Sequence, residues 1–529
     1  MKFNKLYFLL LTFSLVFASC MKMGKSDFVR VEGDHFVAAQ DTFFPLMLNY
    51  IVSFQSHGDR FIVAPSTRYD SLGYADAVGK RAVKRQLMGH FGLIKDLGFN
   101  TVRVCFDRVG RDDDGRCYYQ ADRKFYLDQK KDRRAILRGL DQMMKVAERQ
   151  GLRIMLLIPP PLPENTDLQT FTKELLAHFK NCPTLFAYDF MNEPLYFDPC
   201  EDRKKAEAVA IVSGWKKLMT EHAPNQLFTI GFSEPIEVFE WDCSVLPVDF
   251  VEFHTYHPLR VPGEIYWYAH YCGKPWMVGE TGLPADNDSI TYGEQAQFVR
   301  EAYQLTRDAG GCGFGLWEFQ DNPGCSYEAS YTGILRHGGV THTTRSGEYA
   351  IKGTLKPVAR VIATLEQNYT PQESKRPVNY YNMVGYWNIR INGRIIDTLN
   401  GTGITGAVIR GWNDDWSVGM NTYSDENGYF ALYCNAPCTH FEISAPGYSK
   451  IKFDRSLTFP PLSKEAGDIH DLPGKELEYH QISYHPFVKK DIPDTCFFRI
   501  MNFEPARFEK YAWEGELGIL KLEKLPTKS

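Results

Sequence analysis

The sequence holds no C-x-x-C pair, no zinc-type cysteine spacing, no long run of like charge and no low-complexity tract. The first two absences argue against a structural metal site. The lack of a basic run argues against nucleic acid as a partner. Phosphate binding needs a concentrated basic surface, whereas positive and negative side chains here are mixed and sum to −5. No short-period repeat is present either; what recurs is an alternation of strand and helix signals. The apolar run Leu6 to Phe17 falls short of the roughly 20 residues that a membrane-spanning helix needs.

That run reads instead as an export signal. Lys2 and Lys5 give it a basic start, and it ends in small residues before Cys20. Ala18-Ser19-Cys20 resembles the lipobox of bacterial lipoproteins. The resemblance implies a signal peptide over residues 1–19 and a lipid on Cys20, hence an exported, membrane-anchored protein facing the periplasm or the cell surface. Setting Cys20 aside leaves an odd number of the 12 cysteines, so at least one thiol is free or paired between chains. Cys434 and Cys438 are close enough in sequence to bridge.

The 529 residues suffice for two cored domains. Eight short apolar runs read as strands: Pro45–Tyr50, Thr101–Phe106, Arg153–Ile158, Leu185–Met191, Leu227–Phe232, Phe250–His254, Trp276–Glu280 and Gly313–Trp317. Between several of them lie amphipathic helices, at Arg134–Arg149, Thr166–Phe179 and Glu294–Thr306. Gly98 and Gly151 stand where a left-handed helix cap belongs. Eight strands with intervening helices predict an α/β fold, a (β/α)8 TIM barrel over residues 20–370, closed by a last helix near Leu355–Gln367.

Residues 371–378, with prolines and polar residues, read as a linker. From 379 to 529 short alternating strands and turn clusters predict a smaller all-β sandwich. Asp425-Glu426-Asn427-Gly428 before an apolar run predicts a hairpin. Ile391-Asn392-Gly393-Arg394, Ile404–Val408, Asp425–Phe430 and Ala445–Tyr448 resemble the carboxypeptidase regulatory-like (transthyretin-like) sandwich over about Ile391 to Lys452. Trp412 and Trp416 are candidates for a sugar-stacking platform.

Two glutamates stand out on the barrel. Glu193 follows the fourth strand in Asn192-Glu193-Pro194, and Glu280 ends the seventh. Each is the first charge after a buried-looking run, and a carboxylate there costs free energy unless something uses it. In such barrels the carboxyl ends of the strands carry the active site. This order and placing resemble the retaining glycoside hydrolases of clan A, closest to family 5, the cellulases and mannanases. The resemblance spans most of Phe28 to Gln367. It implies hydrolysis of a β-linked glycan, a β-mannan or β-glucan foremost, with no cofactor. Glu193 would be the acid/base and Glu280 the nucleophile. Asn192 would hold the sugar 2-hydroxyl, Arg103 and Tyr256 would attend the nucleophile, His254 would bond sugar or carboxylate, and Trp317 would floor the sugar site.

One element of the family pattern is missing: Leu156-Leu157-Ile158-Pro159 has no histidine after the third strand. Asp107, Asp189, Glu234 and Glu318 are further acids near strand ends. Tyr196, Phe232, Trp241 and Trp267 are aromatics that could extend the cleft. The rival reading is a non-catalytic glycan-binding lipoprotein on the same barrel. It expects lost carboxylates, and both are present.

Overall fold

A computed structural model describes residues 27–66, 77–258, 260–288, 290–322, 331–343, 350–365, 369–377, 389–414, 419–434, 438–455, 457 and 513–526. The leader and Cys20 lie outside them. Eight apolar runs become eight parallel strands, because helices cover one face of each and the barrel interior the other. They are Leu46–His57, Thr101–Cys105, Arg153–Leu157, Leu185–Asn192, Leu227–Phe232, Val251–His254, Trp276–Glu280 and Phe314–Leu316, and the last pairs back to the first. Closure leaves the inner ring without an edge and sets all eight carboxyl ends on one rim. The outer half of the first strand continues past the rim and pairs antiparallel with Arg60–Pro65.

The helices form where apolar residues recur at three- and four-residue spacing. Lys130–Gln150 buries Ile136, Leu137, Leu140, Met143 and Met144. It stops at Gly151, whose φ of 64° is a left-handed conformation that glycine adopts without a Cβ clash. Thr166–Phe179 has the bounds expected. The third expected helix runs longer, Tyr292–Asp308, because Thr291 and Glu294 cap each other's backbone N–H groups at its start.

Two parts of the barrel differ from expectation. No α-helix covers Leu355–Gln367 among the described residues. Leu355 ends a strand, Ala350–Leu355, and Pro357 opens two short 3-10 turns, Pro357–Arg360 and Ile362–Thr364. Proline lacks the N–H that a continuing helix would use, so it starts a helical turn here and does not prolong one. The second difference is a three-stranded antiparallel sheet, Arg30–Glu32, His35–Ala38 and Asp41–Phe43, placed before the barrel. It closes the rim opposite the carboxyl ends: Phe36 packs against Phe186 and Phe250, inside a cluster with Met47, Met155 and Met277. Full burial of one such phenylalanine is worth about 2 kcal/mol.

The C-terminal unit is a smaller β domain of two sheets. One has the order Tyr429–Cys434, Ile389–Asp397, Trp513–Leu522; the other Gly419–Tyr423, Val408–Trp412, His440–Ser444, Ile451–Asp454. They face each other closely: a Cβ on Gly411 would stand 2.7 Å from Leu432 of the opposite sheet. Trp513–Leu522, a strand the turn signals did not single out, returns to pair parallel with Ile389–Asp397.

The expected hairpin is not one. Asp425 does build a turn, accepting from the backbone N–H groups of Asn427 and Tyr429, with Gly428 at φ 81°. Its two flanking strands belong to different sheets, however, so the turn carries the chain from one sheet to the other. A Cβ on Gly428 would meet Ile395 O at 2.2 Å; this crossing needs a bare backbone. Trp412 is buried against His440 and presents no open platform, and Trp416 lies outside the described residues.

The β domain is locked onto the barrel. Lys205, at the start of the helix Lys205–His222, is buried and donates to Asp242 (2.9 Å) and to the carbonyls of Ala445 (3.0 Å) and Tyr448 (2.8 Å). Gly447 N–H also donates to Asp242, and Trp267 donates its indole N–H to Gly406 O. Removing one partner of a buried ion pair costs about 3–5 kcal/mol. Lys205→Met is therefore expected to lower the unfolding free energy of the full chain by about that amount. Denaturant titration checks it; an unchanged midpoint would contradict the interface.

Candidate active site

At the carboxyl rim, the ends of the fourth, sixth and seventh strands bring Glu193, His254 and Glu280 together. One donor or acceptor atom of each lies within 4.8 Å of the others. Glu193 sits just past its strand at φ 37°, its N–H tied to Gly231 O at 2.6 Å. Left-handed backbone on a non-glycine residue is uncommon and costs free energy, so such a residue persists only where its surroundings hold it. Pro194 then begins the turn Pro194–Phe197, leaving the Glu193 side chain 17% exposed at the mouth, against 5% for Glu280.

Glu280 has both oxygens occupied. Arg103 donates to Oε1, and the Tyr256 hydroxyl donates to Oε2. Burial pushes the Glu280 pKa up; His254 and Arg103 oppose that push, while Glu193 adds to it. Burial, and then the charge on Glu280, also raise the Tyr256 pKa well above the ordinary phenol value, so it stays a donor.

Arg103 is fully buried in the second strand. Its nitrogens donate to Asp189 (3.1 Å from Nε), Asn49 (2.9 Å), Asn192 (2.9 Å) and Glu280, and Glu252 stands 3.3 Å from Nε. Burial works against the charge, but Glu252, Asp189 and Glu280 outweigh it and hold the guanidinium ionised. Asn192 gives its oxygen to Arg103. Its amide N–H groups have no partner among the described residues and remain for a ligand.

His254 faces three carboxylates. Nδ1 lies 2.7 Å from Glu193 and 3.7 Å from Glu280, and Nε2 lies 3.6 Å from Glu252. Burial alone would depress the imidazole; Glu280, Glu193 and Glu252 push it up to about 10. Its folded pKa thus exceeds the ordinary 6.5. The resulting stability is complete below pH 6.5 and is lost as pH rises toward 10. Nitrogen NMR of the ring is expected to show an imidazolium at pH 8, with a lower pKa in Glu280→Gln. A neutral ring at pH 8 in the wild type would contradict the arrangement.

Trp317, directly after the eighth strand, is half-buried, and its N–H donates to Thr281 O, one residue past Glu280. It therefore shares the rim with the carboxylates. All seven barrel residues singled out from the sequence lie on this rim or, for Arg103, just beneath it. Asn49 and Glu252 were missed. Both are wholly buried, and Asn49 ties the first strand to the seventh and eighth by donating to Gly279 O and Leu316 O. A polar residue inside an apolar strand was the available signal. Glu252 fits only because residue 279 is glycine: a Cβ there would lie 1.9 Å from its Oε1.

The other acids and aromatics separate. Asp189 is the buried partner of Arg103, and Glu234 binds Arg260 and the Tyr196 hydroxyl at the rim. Glu318 is buried and Asp107 half-buried after the second strand. Phe232, Trp241 and Trp267 are core, whereas Tyr196 is 40% exposed. Glu193, His254 and Glu280 have the donor types to grip a cation. Here, though, His254 Nδ1 is engaged by Glu193, and both Glu280 oxygens are engaged by Arg103 and Tyr256. A cation would have to displace those bonds beside a fixed guanidinium.

The fold and this rim define a TIM barrel with an acid pair at its carboxyl end. No protein-family model matches the chain. No curated protein matches its sequence. Among solved structures, β-glucuronidase 2 of Bacteroides uniformis aligns with 80% of this chain and 47% of its own, at 14% identity and TM-score 0.43. The exo-β-1,4-mannosidase Op5Man5 of Opitutaceae bacterium strain TAV5 aligns over 65% and 62%, at 16% and 0.42. The endo-β-1,4-mannanase of Thermotoga petrophila aligns over 70% and 93%, at 15% and 0.36. The chain spans about half the length of the first of these and less than two thirds of the second. What the rim can do chemically follows from its own geometry.

Proposed function

We propose that this chain is a retaining glycoside hydrolase acting on a β-linked glycan, with Glu280 as nucleophile and Glu193 as acid/base. The observation that carries the reading is the spacing and unequal setting of the two carboxylates. Retaining enzymes hold the pair about 5–5.5 Å apart, whereas inverting ones leave about 6.5–9.5 Å for a water. Here the nearest oxygens of Glu193 and Glu280 lie within 4.8 Å of each other, the close setting that a retaining pair requires. Glu280 is buried and oriented by two donors, as a nucleophile must be. Glu193 is nearer solvent, at the mouth where a leaving group departs and a water can enter.

The chemistry balances with these residues alone. A Glu280 oxygen bonds the anomeric carbon while the bond to the leaving oxygen breaks, and that oxygen takes the proton of Glu193. Water then attacks the glycosyl-enzyme, Glu193 takes its proton, and Glu280 is released. His254 Nδ1, 2.7 Å away, holds the Glu193 carboxyl in place through the cycle. Asn192 offers an amide to a sugar hydroxyl and Trp317 a ring face to the pyranose.

A β-mannan or β-glucan fits the family 5 resemblance in the barrel sequence. The lipobox resemblance makes the enzyme a lipid-anchored exported protein, with the β domain a carboxypeptidase regulatory-like spacer. The test is a screen of β-mannans and β-glucans with product sizing, followed by proton NMR of the first-formed sugar. Hydrolysis releasing the β-anomer is expected. Retention of glycan without hydrolysis across the panel, at several pH values, would instead make this a glycan-binding barrel.

A further inference from the structure

A cleft of about 770 Å³ lies on the outer face of the β domain, and none of its lining residues belongs to the carboxylate rim. The strand Ile389–Asp397 alternates strictly: Ile389, Ile391 and Ile395 are wholly buried, while Arg390, Asn392 and Arg394 face outward. Pairing then sets the neighbours. Tyr433 stands beside Arg390 and Tyr429 beside Arg394 on one side, and Glu516 beside Asn392 on the other. Arg376 from the linker and Tyr423 wall the cleft.

Three features make this more than a solvated sheet face. The Arg394 guanidinium is held in place, its Nε donating to Asn427 O at 3.0 Å and its central carbon lying 5.0 Å from the centre of the Tyr429 ring. Its two terminal nitrogens have no partner among the described residues, so an oriented fork points at the cleft. The Asn392 amide has none either, and Tyr429 keeps 54% of its surface open. Three guanidinium groups line the cleft against Asp425 and Glu516; Arg376 donates to Ser424 O and Tyr423 O and Arg390 stands 3.7 Å from Glu514, so the Arg394 fork is the cationic group that faces a ligand.

From this arrangement we infer that the β domain carries a binding site for an acidic oligosaccharide, one bearing uronate carboxylates. A guanidinium fork matches a planar carboxylate with two parallel hydrogen bonds. A tyrosine face takes the C–H side of a pyranose, and an amide serves its hydroxyls. The volume lies within the usual range for ligand clefts, about 300–1,000 Å³. The site is separate from the barrel chemistry and stands whether or not the barrel is a hydrolase.

The test uses the full chain and oligogalacturonates, compared with the same oligosaccharides after reduction of their carboxyl groups. Calorimetric titration is expected to show binding of the acidic form, weakened by salt, and a tenfold or greater loss with the neutral form. Arg394→Ala and Tyr429→Ala are each expected to lose tenfold or more. Arg394→Lys, which keeps the charge without the fork, is expected to fall between Ala and wild type. Glu280→Gln is expected to bind the acidic form as the wild type does. No binding by the wild type, equal binding of both forms, or full affinity in folded Arg394→Ala would overturn the inference. Loss of binding in Glu280→Gln would overturn it too, by placing the acidic sugar in the barrel.

Discussion

Glu280→Ala is expected to lower turnover by about 10⁴-fold or more, some 5 kcal/mol at about 1.4 kcal/mol per factor of ten, with the fold intact. The fold survives because the variant leaves Arg103 its buried partners Asp189 and Glu252, and leaves His254 facing Glu193. Activity falls because the anomeric carbon loses its nucleophile, and the neighbours that could replace it are already bonded. A small anion such as azide, entering the space Glu280 vacates, is expected to restore product release with inverted configuration at the anomeric carbon. Glu193→Ala should behave differently. Its loss is expected to be severe for a natural glycan and mild, in the first step, for a nitrophenyl glycoside, whose leaving group needs no proton. If Glu280→Ala retained full activity, or if azide acted only on Glu193→Ala, the roles would be wrong.

The second large effect concerns stability. Arg103→Met is expected to cost about 3–5 kcal/mol at pH 7, since it strips a buried cation from carboxylates that remain. Asp189, Glu252 and Glu280 would then share the barrel interior with no guanidinium. Burial pushes Asp189 up to about 7 even with Arg103 opposing it. Without Arg103, Asp189 and Glu280 bind protons more tightly in the folded chain than in the unfolded one. Stability of the variant should therefore rise as pH falls from 7 toward the ordinary carboxylate range, narrowing its gap to the wild type. Arg103→Lys, keeping the charge but not the fork, should fall between the two. Urea unfolding at pH 7 and pH 5 measures both; a constant gap would contradict the buried cluster.

That cluster shows where the sequence was legible and where it was not. The barrel could be read because its strands, buried on both faces, are short and mostly apolar runs, and because Gly151 ends a helix where the next strand must begin. Glu193 and Glu280 could be read because each breaks an apolar run at its end. Glu252 and Asn49 break theirs in the middle, and only the closed barrel shows that both point inward at Arg103. The chain path in the β domain was less legible. The turn chemistry of Asp425–Gly428 specifies a reversal, and whether the chain reverses within a sheet or crosses between two depends on partners far away in sequence. Pro357 was a local signal against the last helix, outweighed by the apolar residues that follow it.

The most direct measurement is to trap the glycosyl-enzyme. The chain would be incubated with an activated 2-deoxy-2-fluoro glycoside of the sugar it hydrolyses; the fluorine slows breakdown of the intermediate more than the good leaving group slows its formation. Intact mass is expected to rise by one fluoro-sugar, with the label mapping to the peptide that carries Glu280. A label on Glu193 or another residue, or turnover giving the inverted anomer with no label, would contradict the account.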